Sequence, residues 1–286
     1  MQQKIKNLID ILSTPTYFAN EDKLVEKICN ILKENNVSYE VDDVGNIYVT
    51  KGEAEFYPCV VAHTDTVHEL ESINIRETLD HGMLCLSAYN DSGMPTGIGG
   101  DDKCGVFVCL EVIKSLNNIK AVFLVGEEFG CYGARMANPN FFDNVGYAIQ
   151  FDAPLHNWVS HVSYGVKLFD ENGEFYNHIQ PILEKHMGKF ILGNHPYTDV
   201  CVLKNKYDFS CINISVGYHN MHTREEFVDV NTTLRTVEIA KDMINTLGTK
   251  KYEFISKTRD VLFEHIDSIQ QLKYKFLSRK TKSDQE

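Results

Sequence analysis

Apolar residues along this chain recur with two different spacings. From Met1 to Leu12 they fall at Ile5, Leu8, Ile9 and Leu12 between polar neighbours, which is one face of a helix. A second helix is predicted behind Asn20, a candidate cap, with Leu24, Ile28, Ile31 and Leu32 in line. Val37 to Lys51 divides into two short strands around the turn Asp43-Val44-Gly45-Asn46. Phe56 to Ala62, Ala121 to Val125 and Gly146 to Phe151 are largely apolar runs too short for helices, and continuous apolar strands are those buried on both faces. Asn74 to Asn90 reads as a hairpin, and Trp158 to Leu168 and Phe209 to Val216 as strands. Helical spacing marks Asp102 to Leu116, Phe175 to Met187 despite Pro181, and Val230 to Leu247 with Leu234, Val237, Ala240, Ile244 and Leu247 facing inward. Strands alternating with helices predict an α/β fold around a central, mostly parallel sheet.

At 286 residues and 43% hydrophobic, the chain can bury one large core, and it has neither internal repeat nor low-complexity linker. A single domain over residues 1–249 is expected, followed by an amphipathic helical extension over 250–277 and a charged, disordered tail over 278–286. A net charge of -12 argues against a nucleic-acid footprint and against anionic membranes, and favours a small neutral or cationic substrate. The first helix lacks the continuous apolar core of a signal peptide, and no transmembrane run occurs. The eight cysteines form no Cys-x-x-Cys pair and lie mostly in apolar segments, so buried thiols and a reducing, cytoplasmic setting are expected.

In open α/β sheets, ligands bind beyond the carboxyl ends of the strands. Seven acidic or histidine residues stand at such ends or at loops beside them: His63, Asp65, Asp101, Glu127, Glu128, Asp152 and His222. His63 and Asp65 leave an extended segment on the same side, so Asp65 can orient the imidazole, unless His63 is an ordinary loop histidine. The loop Gly97-Ile98-Gly99-Gly100-Asp101-Asp102-Lys103 lacks the Gly-Lys-Ser/Thr ending of a phosphate loop, which weighs against a nucleotide-binding module. Its carboxylates can bridge two cations, cap the helix, or do both with Asp102 as the cap. Glu127 and Glu128 end a buried strand; they form either an exposed turn or a pair pointing opposite ways, one to metal and one to water. Together these residues amount to the ligand inventory of a two-metal hydrolase.

The motifs Val-Ala-His63-Thr-Asp65, Gly-Asp101-Asp102-Lys-x-Gly, Glu127-Glu128-x-Gly, Phe-Asp152 and His222-Thr-x-x-Glu225 stand in a fixed order. In this the chain up to about Leu247 resembles the zinc exopeptidase superfamily, which contains peptidase T, the aminoacylase and carboxypeptidase G group, and single-domain zinc aminopeptidases. Asp43-x-Gly45-Asn46-Ile and the pair Thr198-Asp199 look most like peptidase T. The resemblance implies a three-layer α/β/α sandwich and two zinc ions, with manganese or cobalt as alternatives. One ion would be held by His63, Asp101 and Asp152, and the other by Asp101, Glu128 and His222. Asp65 would orient His63, Glu127 would be the general base, and the Asp101-Asp102 peptide would be cis.

The chain departs from peptidase T and aminoacylase at one place. Those relatives insert a lid or dimerisation domain after the residue matching Asp152, whereas here only Ala153 to His195 fills the gap. The architecture is closer to single-domain aminopeptidases, and residues borne on a lid do not carry over. Tyr218, His219, Asn220 and Arg224, near His222, become candidates for substrate contact. The expected activity is hydrolysis of a terminal peptide bond or an N-acyl amide, aminopeptidase favoured, on a small peptide or N-acyl amino acid. The alternative is a catalytically silent metal-binding or interaction protein on the same fold.

Overall fold

The computed structural model describes residues 1–70 and 72–256. Helices α1 (Gln2–Leu12) and α2 (Asp22–Glu34) lead into the hairpin β1 (Tyr39–Val41) and β2 (Ile47–Lys51), and then into β3 (Tyr57–His63). A second hairpin, β4 (Asn74–Asp80) and β5 (Met83–Tyr89), precedes helix α3 (Gly100–Ser115) and strand β6 (Ile119–Leu124). Two short helices, α4 (Tyr132–Met136) and α5 (Pro139–Phe142), connect to β7 (Val145–Ala153). The chain continues through β8 (Trp158–Ser163), β9 (Val166–Lys167), α6 (Glu174–Met187), β10 (Ile191–His195) and α7 (Asp199–Lys206). It closes with β11 (Ser210–Ser215), β12 (Tyr218–His219), β13 (Phe227–Asp229) and α8 (Val230–Leu247).

The main sheet has the order β1-β2-β6-β3-β7-β11-β8-β10, with β9 paired to β8. Its centre is parallel: β3 pairs in parallel with β6 and β7, and β7 with β11. Every residue of β3, β6, β7 and β11 is buried, as expected of strands covered on both faces. Helix α3 packs on β3 and β7 with α1 and α8 against it, while α7 packs on β3, β7 and β11 and is joined by α4. This is the expected α/β sandwich. A second sheet, β12-β13-β5-β4, collects the hairpin that the sequence placed at a local edge. All eight cysteines are buried and unpaired. Among the described residues no helix is long and apolar enough to cross a membrane.

Two local expectations shift by one residue. Helix α2 is preceded by Glu21 rather than Asn20, because Glu21 is drawn into the core as acceptor for Thr64 Oγ1, while the Asn20 amide donates to the Tyr17 hydroxyl. The turn before β2 is held by Asp42, not Asp43: Asp42 Oδ1 accepts from the backbone N–H groups of Val44, Gly45 and Asn46 at 2.9–3.0 Å. The segment after Asp152 adds no second domain. It supplies β8, β9 and β10, which extend the main sheet, and α6, which packs on α8. Of the helical extension expected over 250–277, residues 250–256 are extended instead, Tyr252 bonding across Gly146 and Ser210; the remainder and the 278–286 tail lie outside the described residues.

Candidate metal centre

Strand ends bring the predicted residues together. His63 is the last residue of β3, Asp152 lies near the end of β7, and Glu127 and Glu128 follow β6. Asp101 sits in the kinked first turn of α3, where its peptide bond to Asp102 is cis. The local sequence makes this turn possible. Gly99 takes φ 66°, which glycine adopts without cost, and a Cβ at Gly105 would stand 2.2 Å from Asp102 Oδ1. Asp102 Oδ1 thus receives the Gly105 N–H at 3.1 Å, while its Oδ2 accepts the His63 N–H at 3.2 Å.

Asp101 is shared between two histidines. Its Oδ1 lies 3.1 Å from His63 Nε2 and its Oδ2 lies 3.2 Å from His222 Nε2. His63 Nε2 is also 3.7 Å from Asp152 Oδ1, and His222 Nε2 is 3.0 Å from Glu128 Oε1. Two donor groups result, one around His63 and one around His222, with a single carboxylate between them. Asp102 also comes within ligand distance of His63 and Asp152, but both its oxygens already accept backbone N–H groups, so Asp101 is the better donor.

Asp65 is fully buried and faces His63 Nδ1 at 3.2 Å. Its two oxygens accept the N–H groups of Glu127 at 2.8 Å and Glu128 at 3.1 Å, so one carboxylate positions three neighbours. The segment it stands on is pinned by Thr16 Oγ1 donating to Thr64 O and Thr66 Oγ1 donating to Thr16 O. Held this way, the two glutamates diverge: Glu128 meets His222, and Glu127 Oε2 lies 4.0 Å from His63 Nε2.

Partners that the sequence did not single out hold the ligands in place. The Asn213 side chain on β11 accepts the Asp152 N–H and donates to the Asp152 carbonyl, both at 2.8 Å, beside a register shift in the β7/β11 ladder. Gln150 Nε2 donates to Asp152 Oδ2 at 3.2 Å. Buried Glu226 accepts the Gly99 and Asp101 N–H groups at 2.8 and 3.2 Å and the His68 ring at 2.7 Å. The core residue of the His222 motif is therefore Glu226, and Glu225 is exposed. Asn46 bridges Gly133 O and the Val125 N–H, fixing the chain just before Glu127.

Beyond the donors opens a cavity of about 360 Å³, lined by Asp101, Glu127, Glu128, Asp152 and His222 on one side and by Tyr164, His195, Tyr197 and Met221 elsewhere. No lysine or arginine is among its lining residues. Of the four candidates near His222, none lines it: Tyr218 is buried beneath with its hydroxyl 3.4 Å from Asp152 Oδ1, and His219 stacks on Phe227. Asn220 and Arg224 are exposed. The position missed by sequence is His195, the last residue of β10, whose two ring nitrogens are buried without hydrogen-bond partners. Burial pushes its pKa down to about 4.

The electrostatics are those of crowded acids. Burial, reinforced by neighbouring carboxylates, raises Glu127 and Asp152 well above the ordinary range. Burial would raise Asp101 too, but the two histidines on its oxygens hold it well below that range. His222 is pushed up to about 10 by Asp101 and Glu128. For His63, burial works against the charged ring, and Asp101, Asp152 and Asp65 overcome it, so its pKa rises. Such a concentration of acids with two histidines and no other cation at the cavity is the chemistry of a site built for positive charge.

Solved structures share the whole arrangement of elements. The aminopeptidase PepT of Bacillus cereus superposes with a TM-score of 0.70 at 13% identity, covering 86% of this chain and 98% of that one. The fold is the zinc exopeptidase fold. A tripeptidase of Staphylococcus aureus matches it with a TM-score of 0.67 at 13% identity over 85% of this chain and 97% of that one. An aminopeptidase of the archaeon Desulfurococcus kamchatkensis matches with a TM-score of 0.65 at 15% identity over 87% and 96%. No protein-family model matches the sequence, and no curated protein matches it. The zinc exopeptidase fold is thus carried here by a sequence far from these peptidases.

Proposed function

We propose that this protein is a di-metal hydrolase that removes a residue from the end of a peptide, an aminopeptidase in preference to a carboxypeptidase or an N-acyl amino acid deacylase. The observation that supports it is Asp101, which presents one oxygen to the His63 group and the other to the His222 group. His63, Asp101 and Asp152 would hold one ion and Asp101, Glu128 and His222 the other. Zinc suits this mix of imidazole and carboxylate, with manganese or cobalt as alternatives. When bound, such a pair polarises a carbonyl and makes water a nucleophile at neutral pH.

The chain's own residues supply the rest. Asp65 engages His63 Nδ1, which leaves Nε2 as the free lone pair. Glu127 lines the cavity and touches the metal-binding residues only at the 4.0 Å approach to His63, so its carboxylate is available to take a proton from the attacking water and return it to the departing amine. Its raised pKa suits a group that must hold that proton between the two events. The acidic cavity favours the ammonium end of a peptide, and it offers a substrate carboxylate no lysine or arginine. The aminopeptidase and tripeptidase that share the fold support the same substrate class.

Glu127→Gln tests the assignment. The variant should retain both metals by elemental analysis while kcat on di- and tripeptides with free amino termini falls by about 10³-fold or more. A near wild-type rate would remove Glu127 as the base. Cleavage of N-acyl amino acids alone, with free peptides untouched, would overturn the aminopeptidase preference.

A further inference from the structure

The hydrolase reading leaves one cavity residue without a task. Strand β10 lies at the edge of the main sheet, parallel to β8, and its register shifts between Gly193 and Asn194. Such bulges re-aim the side chains that follow them. Two residues later the strand ends at His195, on the cavity. The backbone carbonyl of His195 accepts the Tyr164 N–H at 3.3 Å, which ties it to the turn between β8 and β9. The ring has no such tie. Both nitrogens are shielded from solvent and neither meets a protein donor or acceptor. An imidazole buried in that state forfeits roughly 1–3 kcal/mol for each unsatisfied group, so its placement calls for a ligand that satisfies it.

The ring is not a third member of either donor group, since these are His63 with Asp102 and Asp152, and Asp101 with Glu128 and His222. Among the side chains lining the cavity, nitrogen occurs only in His195 and His222, and His222 presents Nε2 to Asp101 and Glu128. The remaining acidic lining accepts hydrogen bonds when ionised. A peptide carbonyl entering this cavity therefore finds its side-chain N–H donor at His195.

Resting on the hydrolase reading above, we propose that His195 is a catalytic residue that donates a ring N–H to the carbonyl oxygen of the bond being cut. It would strengthen that hydrogen bond as charge develops on the oxygen and would take the part that a separate lid cannot play here. As water adds to the carbonyl carbon, the π pair of the C=O bond moves onto the oxygen facing His195. When that pair returns, the C–N bond breaks and the amine leaves with the proton Glu127 took from the water.

The test compares His195→Phe and His195→Gln with wild type, each loaded with zinc and checked for metal content and melting temperature. For His195→Phe, kcat on a tripeptide with a free amino terminus should fall by about 10²-fold with KM within about threefold, metal content unchanged. His195→Gln keeps an N–H donor and should recover at least about tenfold of that loss. Calorimetric affinity for a phosphinate peptide analogue, which carries the anionic oxygen without being cleaved, should fall in parallel with kcat/KM, while affinity for the free amino acid product should not. A kcat/KM within about threefold of wild type in His195→Phe, a lost metal ion, or no rescue by glutamine would overturn the proposal. If wild type cleaves no peptide, the hydrolase reading fails by itself; the calorimetry then judges His195 separately, and equal phosphinate affinity in wild type and His195→Phe overturns its role.

Discussion

Replacing Asp65 with asparagine removes one oxygen from a point where three neighbours meet. The aspartate is fully buried, accepts the Glu127 and Glu128 N–H groups at 2.8 and 3.1 Å, and faces His63 Nδ1 at 3.2 Å. An asparagine has a single acceptor oxygen, and its amide N–H₂ must confront either a backbone N–H or the ring N–H. One charge-assisted hydrogen bond is lost, worth about 1.5–3 kcal/mol, and one donor is left buried and unpaired. The two effects overlap, so Asp65→Asn should destabilise the metal-free protein by about 2–4 kcal/mol. Urea unfolding in the presence of a chelator reads this directly, and the melting temperature should drop by roughly 5–12 °C. Because the same change loosens His63, metal affinity should weaken by about 10–100-fold in a competition titration. A loss below about 0.5 kcal/mol together with unchanged metal affinity would refute the reasoning, since it would mean that the two N–H groups find other acceptors.

Asn213→Leu keeps the volume but removes the amide that bridges the Asp152 backbone, and should cost about 2–4 kcal/mol in the same unfolding assay. His195 is buried with its pKa near 4, so the unfolded chain takes up a proton as pH falls below about 6.5 while the folded chain does not; stability from this residue is lost between pH 6.5 and 4. His195→Phe should therefore gain about 2 kcal/mol relative to wild type between pH 7 and pH 4, measured in chelator, and parallel pH profiles would contradict it. Removing metal with a chelator should lower the melting temperature, and adding zinc at 100 times its dissociation constant should restore about 2.7 kcal/mol; a melting curve insensitive to zinc would count against a metal centre.

The buried strands were legible because apolar runs flanked by glycine loops and carboxylates have little other use, and those strands carry His63, Asp152 and the glutamate pair to the site. What stayed hidden depends on contacts made across the fold. Asn213 meets Asp152 from 61 residues away, and nothing in Ser-Cys-Ile-Asn-Ile-Ser marks the asparagine as the one buried amide that completes the ladder. Asp42 and Glu226 were each misplaced by one position, to Asp43 and Glu225, since a single-residue step decides which carboxylate turns inward and periodicity does not resolve it. Strand β10 escaped because Ile191-Leu-Gly-Asn-His is half exposed at a sheet edge and becomes a strand only by pairing with β8, so His195 was not marked as a strand-end residue.

That edge has a dynamic consequence. Tyr164 and His195 belong to a wall hydrogen-bonded into the same sheet as the residues opposite, so the two sides of the cavity cannot swing apart as rigid bodies about a hinge. Whatever enters must fit a mould already cast, and ordering a distant flap adds no entropic cost to its binding. Selection then falls on the dimensions of the opening, and turnover should follow the chemistry of the bound ligand more closely than the slow opening and closing that governs gated enzymes.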